Sequence, residues 1–203
     1  MNQETNMTTL LSTERSQLNV YPLEDAWLDL MEQCVQAVEP DLVEKPEIVV
    51  YGKVCKQNRS VCFYSDESGD FNYSTSNTPS KALPPCLREL MAYVNNTLHK
   101  DFNGVLVNKY VNGLDYIGKH SDDERKMDVS SGVAMLSYGA PRIFRIRDKS
   151  TKKILLNVKT DNCQMIHMDG QFQREFTHEI PIEKRVQEAR VSFTFRRHVC
   201  SPL

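Results

Sequence analysis

Apolar residues recur at helical spacing in two early stretches, and beyond Asp101 the repeat shortens to two. In the stretch Leu23 to Val38, the positions Trp27, Leu28, Leu30, Met31, Cys34, Val35 and Val38 share one face between Pro22 and Pro40, which predicts an amphipathic helix. Pro84-Pro85 opens a second helical run with an apolar stripe of Leu87, Leu90, Met91, Val94 and Leu98. Between the two, Glu47 to Val54 reads as a β-branched strand, and Tyr64 to Pro79 as a long loop or loose hairpin. The rest of the chain is a series of short apolar or alternating runs (FNGVLVNKY, YIGKHSD, GVAMLSYG, RIFRIRD, KILLNVK, CQMIHM, EFTHEI, ARVSFTFRR) broken by Gly, Pro, Asn or Asp. Many short strands at even spacing predict a β-sandwich or jelly roll. Residues 1–20 are rich in Asn, Gln, Thr and Ser and are expected to be a mobile tail, leaving 21–203 as one domain.

Composition narrows the class without naming a chemistry. A chain of 203 residues with 40% hydrophobic content is the size of one compact domain. A net charge of -2 gives no global attraction to a polyanion, so any nucleic-acid affinity has to come from a local patch. The six cysteines (Cys34, Cys55, Cys62, Cys86, Cys163, Cys200) form no CxxC pair, which argues against a zinc ribbon and reads as reduced thiols of an intracellular protein. No apolar run approaches the roughly 20 residues that span a bilayer, and the N-terminus lacks a signal-peptide pattern. No membrane partner is expected.

The candidate chemistry begins with His120-Ser121-Asp122. Residues i and i+2 of a strand point the same way and offer an imidazole and a carboxylate to one metal. A surface His beside solvated acids explains an isolated HxD equally well, and His167-Met168-Asp169 is a second match. A third ligand favours the first pair. His178, in EFTHEIP, follows after enough chain for several strands to return to one cavity, whereas His167 lies too close to it and Asp169-Gly170 reads as a turn. Two His and one carboxylate form a facial triad that leaves positions open on iron(II), whereas zinc prefers four tetrahedral ligands.

The run Arg190-Val191-Ser192-Phe193-Thr194-Phe195-Arg196 alternates strictly, sending both arginines to one side. Inward arginines are costly unless they meet anions, and a dicarboxylate such as 2-oxoglutarate supplies two. The competing explanation is an edge strand with solvated arginines. Asn108 and Tyr110 share a face in the same way, just upstream of the metal pair, and can donate hydrogen bonds to such a cosubstrate.

Together these residues resemble the AlkB family of nucleic-acid demethylases from about Val49 to His198, through FNGVLVNKYVNGLDYIGKHSDDE, MDGQFQREFTHEIP and ARVSFTFR. The wording is similar to the duplex-DNA-repair branch and also to viral AlkB domains. The resemblance implies an α+β, mainly β fold: a double-stranded β-helix (jelly roll) core at 101–199, N-terminal helices, and a nucleotide-recognition lid at 47–80. It implies iron(II) on His120, Asp122 and His178, with dioxygen and 2-oxoglutarate as co-reactants. Arg190 would meet the distal carboxylate, and Arg196, Asn108, Tyr110, Ser192 and Thr194 would complete the cosubstrate pocket. Ser192 stands where the family more often has Asn.

In the lid, Tyr51-Gly52-Lys53 resembles a finger that wedges into the base stack, while Lys53, Lys56 and Arg59 offer phosphate contacts and Phe71 and Tyr73 a stacking surface for an extruded base. Cys55-Lys56 and Ser65-Asp66 replace the family's Pro-Arg and Gly-Asp. Asp123 and Glu124 would recognise a cationic methylated base. The implied reaction is oxidative demethylation of bases such as 1-methyladenine and 3-methylcytosine, in DNA ahead of RNA, with release of formaldehyde. A monomer of the nucleus or cytoplasm, or a virus-encoded one, is expected. The alternatives are a 2-oxoglutarate-dependent hydroxylase acting on a protein or small molecule, and a non-catalytic nucleic-acid-binding module.

Overall fold

The computed structural model describes residues 7–50, 52–67, 71–73, 76–124, 127–162 and 164–199. In chain order its elements are β1 (Thr8–Ser12), β2 (Ser16–Pro22), α1 (Ala26–Val38), β3 (Glu47–Val50), β4 (Lys53–Lys56), β5 (Ser60–Tyr64), β6 (Phe71–Tyr73), β7 (Ser76–Thr78), β8 (Ser80–Lys81) and α2 (Pro85–Leu98). The second half adds β9 (Gly104–Tyr110), β10 (Ile117–His120), β11 (Val133–Gly139), β12 (Arg142–Asp148), β13 (Ile154–Thr160), β14 (Gln164–Gly170), α3 (Phe172–Glu175), β15 (Phe176–Ile180) and β16 (Arg190–Arg196). No described helix is long and apolar enough to cross a membrane.

Two sheets face each other as the jelly-roll reading requires. The larger runs β1-β2-β14-β11-β16-β9-β5-β8 and the smaller β10-β15-β12-β13. Alternation along the large sheet divides its side chains between two cores. Val105, Val107, Val191, Phe193 and Phe195 pack beneath α1 and α2 with Met31, Cys34, Leu87 and Leu90. On the other face Tyr110, Met135, Ile166 and Met168 meet Phe144, Ile146, Phe176 and Ile180 of the small sheet. Both helices form where the apolar stripe predicts them; α2 begins at its proline pair and ends at His99, in the left-handed conformation at φ 52°.

Two expectations need correcting. Residues 8–12 and 16–22 are not a mobile tail: β2 pairs with β14 over Ser16↔Gly170 to Pro22↔Gln164, and Leu18 and Val20 enter the inter-sheet core. The local sequence is polar because β1 is an exposed edge, and pairing with β14 supplies the order that composition does not. Leu18 is fully buried, so Leu18→Ala should cost about 2–5 kcal/mol in chemical denaturation; a change within about 0.5 kcal/mol, normal for a surface site, would restore the tail reading.

The run Glu47 to Val54 is a hairpin of β3 and β4, turning at Gly52, whose φ of 77° suits glycine. Within the stretch Tyr64 to Pro79, β6 and β7 pair as a second small hairpin. Tyr51 and the side chain of Tyr73 lie outside the described residues.

Candidate active site

The three predicted ligands converge between the sheets. His120 closes β10 and stands opposite His178 of β15, while Asp122 follows two residues after His120. Ligand-type atoms of the three lie within 4.8 Å of one another. An oxygen of Asp122 is 3.4 Å from His178 Nε2, and the other is 3.9 Å from His120 Nε2. His120 Nδ1 donates to the Gly118 carbonyl at 2.8 Å, which fixes the tautomer and leaves Nε2 for a metal.

The Asp122 amide donates to Gln173 Oε1 at 2.9 Å, and Ser121 Oγ donates to the Phe176 carbonyl at 2.8 Å, anchoring the ligand loop to α3 and β15. Two imidazoles and one carboxylate facing one another across a few ångströms fit a divalent cation of the 2-His-1-carboxylate type.

Electrostatics prepares the same donors. Burial, then the neighbouring His178 ring, pushes the His120 imidazole down to about 3, so it is neutral and able to coordinate at neutral pH. Burial alone would raise Asp122, but the Arg196 charge and His178 outweigh it and hold the carboxyl well below the usual range.

The His120 shift has a sign that can be tested. An unfolded His binds its proton near pH 6.5 (about 6.5), whereas the folded one resists it down to about 3. Between those values the unfolded state holds more protons, so metal-free stability falls as pH drops through that window. Thermal melting at about pH 7.5 and about pH 5 should show this fall, and His120→Gln should show a smaller one. An equal fall in both proteins would remove His120 from the account.

Behind the triad lies a pocket of about 470 Å³, counted out to its mouth, that collects the predicted cosubstrate residues Asn108, Tyr110, Ser192, Thr194 and Arg196. β16 is not an edge strand. It runs between β11 and β9, all seven of its residues are buried, and Arg190 stands opposite Tyr110 as Ser192 stands opposite Asn108. Arg190 is 1% exposed. Its Nη2 donates to Ser137 Oγ at 2.8 Å, with Met135 Sδ at 3.4 Å, but Nε and Nη1 have no hydrogen-bond partner among the described residues. Burial lowers its pKa to about 10, which leaves it charged. A buried cation with two unused donors is a site built for an anion.

Other predicted residues settle differently. Arg59, expected at outer phosphates, is 4% exposed and donates from Nε to Asn108 Oδ1 at 2.6 Å, because β5 pairs with β9 and carries it into the pocket wall. That leaves the Asn108 amide NH2 to donate elsewhere. Lys53 and Lys56 are exposed on β4. Phe71 is buried in the pocket lining, with its ring centre 5.3 Å from that of Phe63 and 4.8 Å from Arg196 Cζ. Asp123 is exposed, 3.9 Å from Lys149. Glu124 turns inward to Arg196 Nη1 at 2.5 Å and His198 Nε2 at 3.2 Å. His167 points to the other side of the large sheet, towards Phe102 under the helices, and so cannot join the triad.

Sequence reasoning passed over Gln173, His198 and Arg142. Arg142 is 1% exposed and donates to the carbonyls of Asn112, Asp115 and Pro181 and to Glu183, tying together the loops at the Tyr110 end of the pocket. One signal for it existed: in RIFRIRD it shares a face with Phe144 and Ile146, an Arg on the apolar side of an alternating strand.

This fold and donor set are those of the oxygenases that use iron(II) and 2-oxoglutarate, and the profile of the 2OG-Fe(II) oxygenase superfamily matches residues 23–196, so the chain belongs to that superfamily. Its relatives there are AlkB homologues. It is 34% identical to DNA oxidative demethylase ALKBH2 of Mus musculus over 158 residues, covering 74% of this chain and 66% of that protein. It is 31% identical to alpha-ketoglutarate-dependent dioxygenase alkB homolog 3 of Homo sapiens over 139 residues, covering 63% and 49%. The chain thus spans less than two thirds of these relatives' length. The solved structure of OsALKBH1 has the same fold, with a TM-score of 0.58 at 14% identity over 94% of this chain and 100% of that one.

Proposed function

We propose that this protein is an iron(II)- and 2-oxoglutarate-dependent dioxygenase that removes methyl groups from ring nitrogens of bases in nucleic acid, DNA ahead of RNA, with 1-methyladenine and 3-methylcytosine as substrates. The observation that carries the cosubstrate is the buried, half-satisfied Arg190 guanidinium, which lies against Tyr110 and Met135 in the wall of the pocket that holds the triad. The nucleic-acid substrate rests on the similarity to proteins named as DNA oxidative demethylases.

His120, Asp122 and His178 would hold the iron. Iron bound there would supply oxidation of the N-methyl carbon by dioxygen, coupled to conversion of 2-oxoglutarate to succinate and carbon dioxide, and the hydroxylated methyl would be released as formaldehyde. The protein's part is binding and orientation. Arg190 takes the distal carboxylate of the cosubstrate through Nε and Nη1, and Tyr110, Asn108, Ser192 and Thr194 line its place with hydroxyl and amide donors. Ser192 is shorter than Asn, so its hydrogen bond to the cosubstrate is shorter in reach or carried by water. Arg196 holds Asp122 from behind at 3.5 Å.

Phe71 offers its ring to an extruded base, and Lys53 and Lys56 meet backbone phosphates from the β3–β4 hairpin. Tyr51 as wedge and Tyr73 as second stacking ring rest on the sequence pattern alone. Asp123, exposed beside Lys149, and Glu124, turned inward to Arg196 and His198, would supply the negative charge that favours a cationic methylated base.

The test is mass spectrometry of methylated oligonucleotides, single and double stranded, DNA and RNA, incubated with iron(II), 2-oxoglutarate and ascorbate. Loss of one methyl mass from a DNA class is expected. Succinate production without any such loss would move the activity to a protein or small-molecule substrate. In binding, the double variant Lys53→Ala, Lys56→Ala should weaken affinity for all sequences alike and lower the slope of log K against log salt by about 1 per lysine; an unchanged slope removes the lid from the interface.

A further inference from the structure

His198 lies outside the cosubstrate pocket, two residues beyond β16, and is held unusually firmly. Its backbone N–H donates to Asn103 Oδ1 at 2.8 Å and its carbonyl accepts from Asn103 Nδ2 at 3.0 Å, while it also bridges to Met127. The residue is 5% exposed. Its ring makes two contacts that lead back to the pocket. Nε2 lies 3.2 Å from Glu124 Oε1, and an ionised carboxylate only accepts, so Nε2 carries the proton. The ring centre is 5.5 Å from that of Phe63, which stacks on Phe71.

Glu124 holds Arg196, and Arg196 lies over Phe71. The contacts therefore close on themselves through His198, Glu124, Arg196, Phe71 and Phe63. Only Phe71 and Arg196 of these line the pocket.

We infer that His198 is a specificity-determining positioning residue, which fixes Glu124 and, through Phe63, Phe71, so that the pocket prefers a positively charged methylated base over a neutral one. The inference rests on the demethylase reading above. In the structure Arg196 is shared between Glu124 and Asp122. When Arg196 turns to an anionic cosubstrate, Glu124 loses part of that partner, and among the described residues His198 is the side chain that still keeps its carboxylate in place. A carboxylate held in place by a hydrogen-bond donor keeps its charge directed at a cationic ring, whereas one that swings free spends it in solvent. His198 touches neither substrate nor cosubstrate in this arrangement.

The test uses the full chain with iron(II) and 2-oxoglutarate under anaerobic conditions. Binding is compared for two otherwise identical oligonucleotides, one with a single 1-methyladenine, which is cationic, and one with a single 1-methylguanine, which is neutral. The wild type should prefer the first. His198→Leu, which keeps bulk but no donor, should reduce that preference by about tenfold, the scale of a lost hydrogen bond to a charged group. His198→Gln, which retains a donor, should keep most of it and controls for folding.

Equal weakening of both oligonucleotides in both variants would mean a structural role only and overturn the inference. So would an unchanged preference in His198→Leu, or a wild type with no preference. Demethylation by the wild type in air is scored separately: a retained preference without demethylation sinks the parent reading and leaves the role of His198 standing.

Discussion

Arg190→Met is expected to raise the melting temperature of the cosubstrate-free protein and at the same time to raise the KM for 2-oxoglutarate by about 100-fold or more. The two effects have one cause. The Arg190 guanidinium is 1% exposed, and two of its three nitrogens lack a hydrogen-bond partner among the described residues. Removing such a charge from water costs several kcal/mol that one bond to Ser137 does not repay, and an apolar side chain of similar volume commonly recovers about 1–4 kcal/mol. The same unmet donors are what a dicarboxylate would satisfy, and deleting one side of a buried charge pair costs about 2–5 kcal/mol of binding.

Differential scanning fluorimetry with and without 2-oxoglutarate separates the outcomes. At a ligand concentration about 100 times Kd, the wild type gains about 2.7 kcal/mol and melts higher. The variant should start higher and gain no more than about 0.4 kcal/mol at the same concentration. A variant that starts lower and still responds to 2-oxoglutarate would show that Arg190 is structural and the carboxylate is held elsewhere.

Asp122→Asn should abolish measurable turnover and weaken binding of iron(II), or of manganese(II) as a redox-stable substitute, by on the order of 1,000-fold, the scale of losing one charged partner from a buried cluster. The carboxylate is positioned from two sides, by Gln173 on its amide and Arg196 on its side chain. Gln173→Leu should therefore lower metal affinity by about 10- to 100-fold without removing a ligand. His167→Ala supplies the contrast: it replaces the histidine of the other HxD pair, on the far face of the large sheet, and should leave metal affinity unchanged. Titration calorimetry reads all three. Equal losses in Asp122→Asn and His167→Ala would mean that the metal sits elsewhere.

Much of this site was legible because strand alternation is a local property. The run from Arg190 to Arg196 announces two faces, and in the structure those faces separate as written, with Val191, Phe193 and Phe195 under the helices and Ser192, Thr194 and Arg196 in the pocket. The helices opened or closed by proline are local in the same sense, whereas Asp122 lies beyond the end of β10, so a loop and not strand alternation brings it to His120.

What remained hidden depends on pairing between distant segments. Arg59 looks like a surface cation until β5 is laid against β9, which brings it to Asn108. The stretch Ser16–Pro22 is too short and polar to announce itself as a strand, yet β14 supplies its hydrogen bonds along the full length. Glu124 belongs to an acidic turn in the sequence, and only the return of β16 turns it inward to Arg196 and His198.

The sequence by itself determined which side chains share a face, how the period changes along the chain, and which donor types recur at metal-binding spacing, because these follow from covalent geometry and neighbours a few positions away. Tertiary structure alone decided which face is inside, how distant segments pair, and which charges are left without a partner. Those outcomes depend on burial and on contacts between residues far apart in the chain, whose energies no local pattern contains.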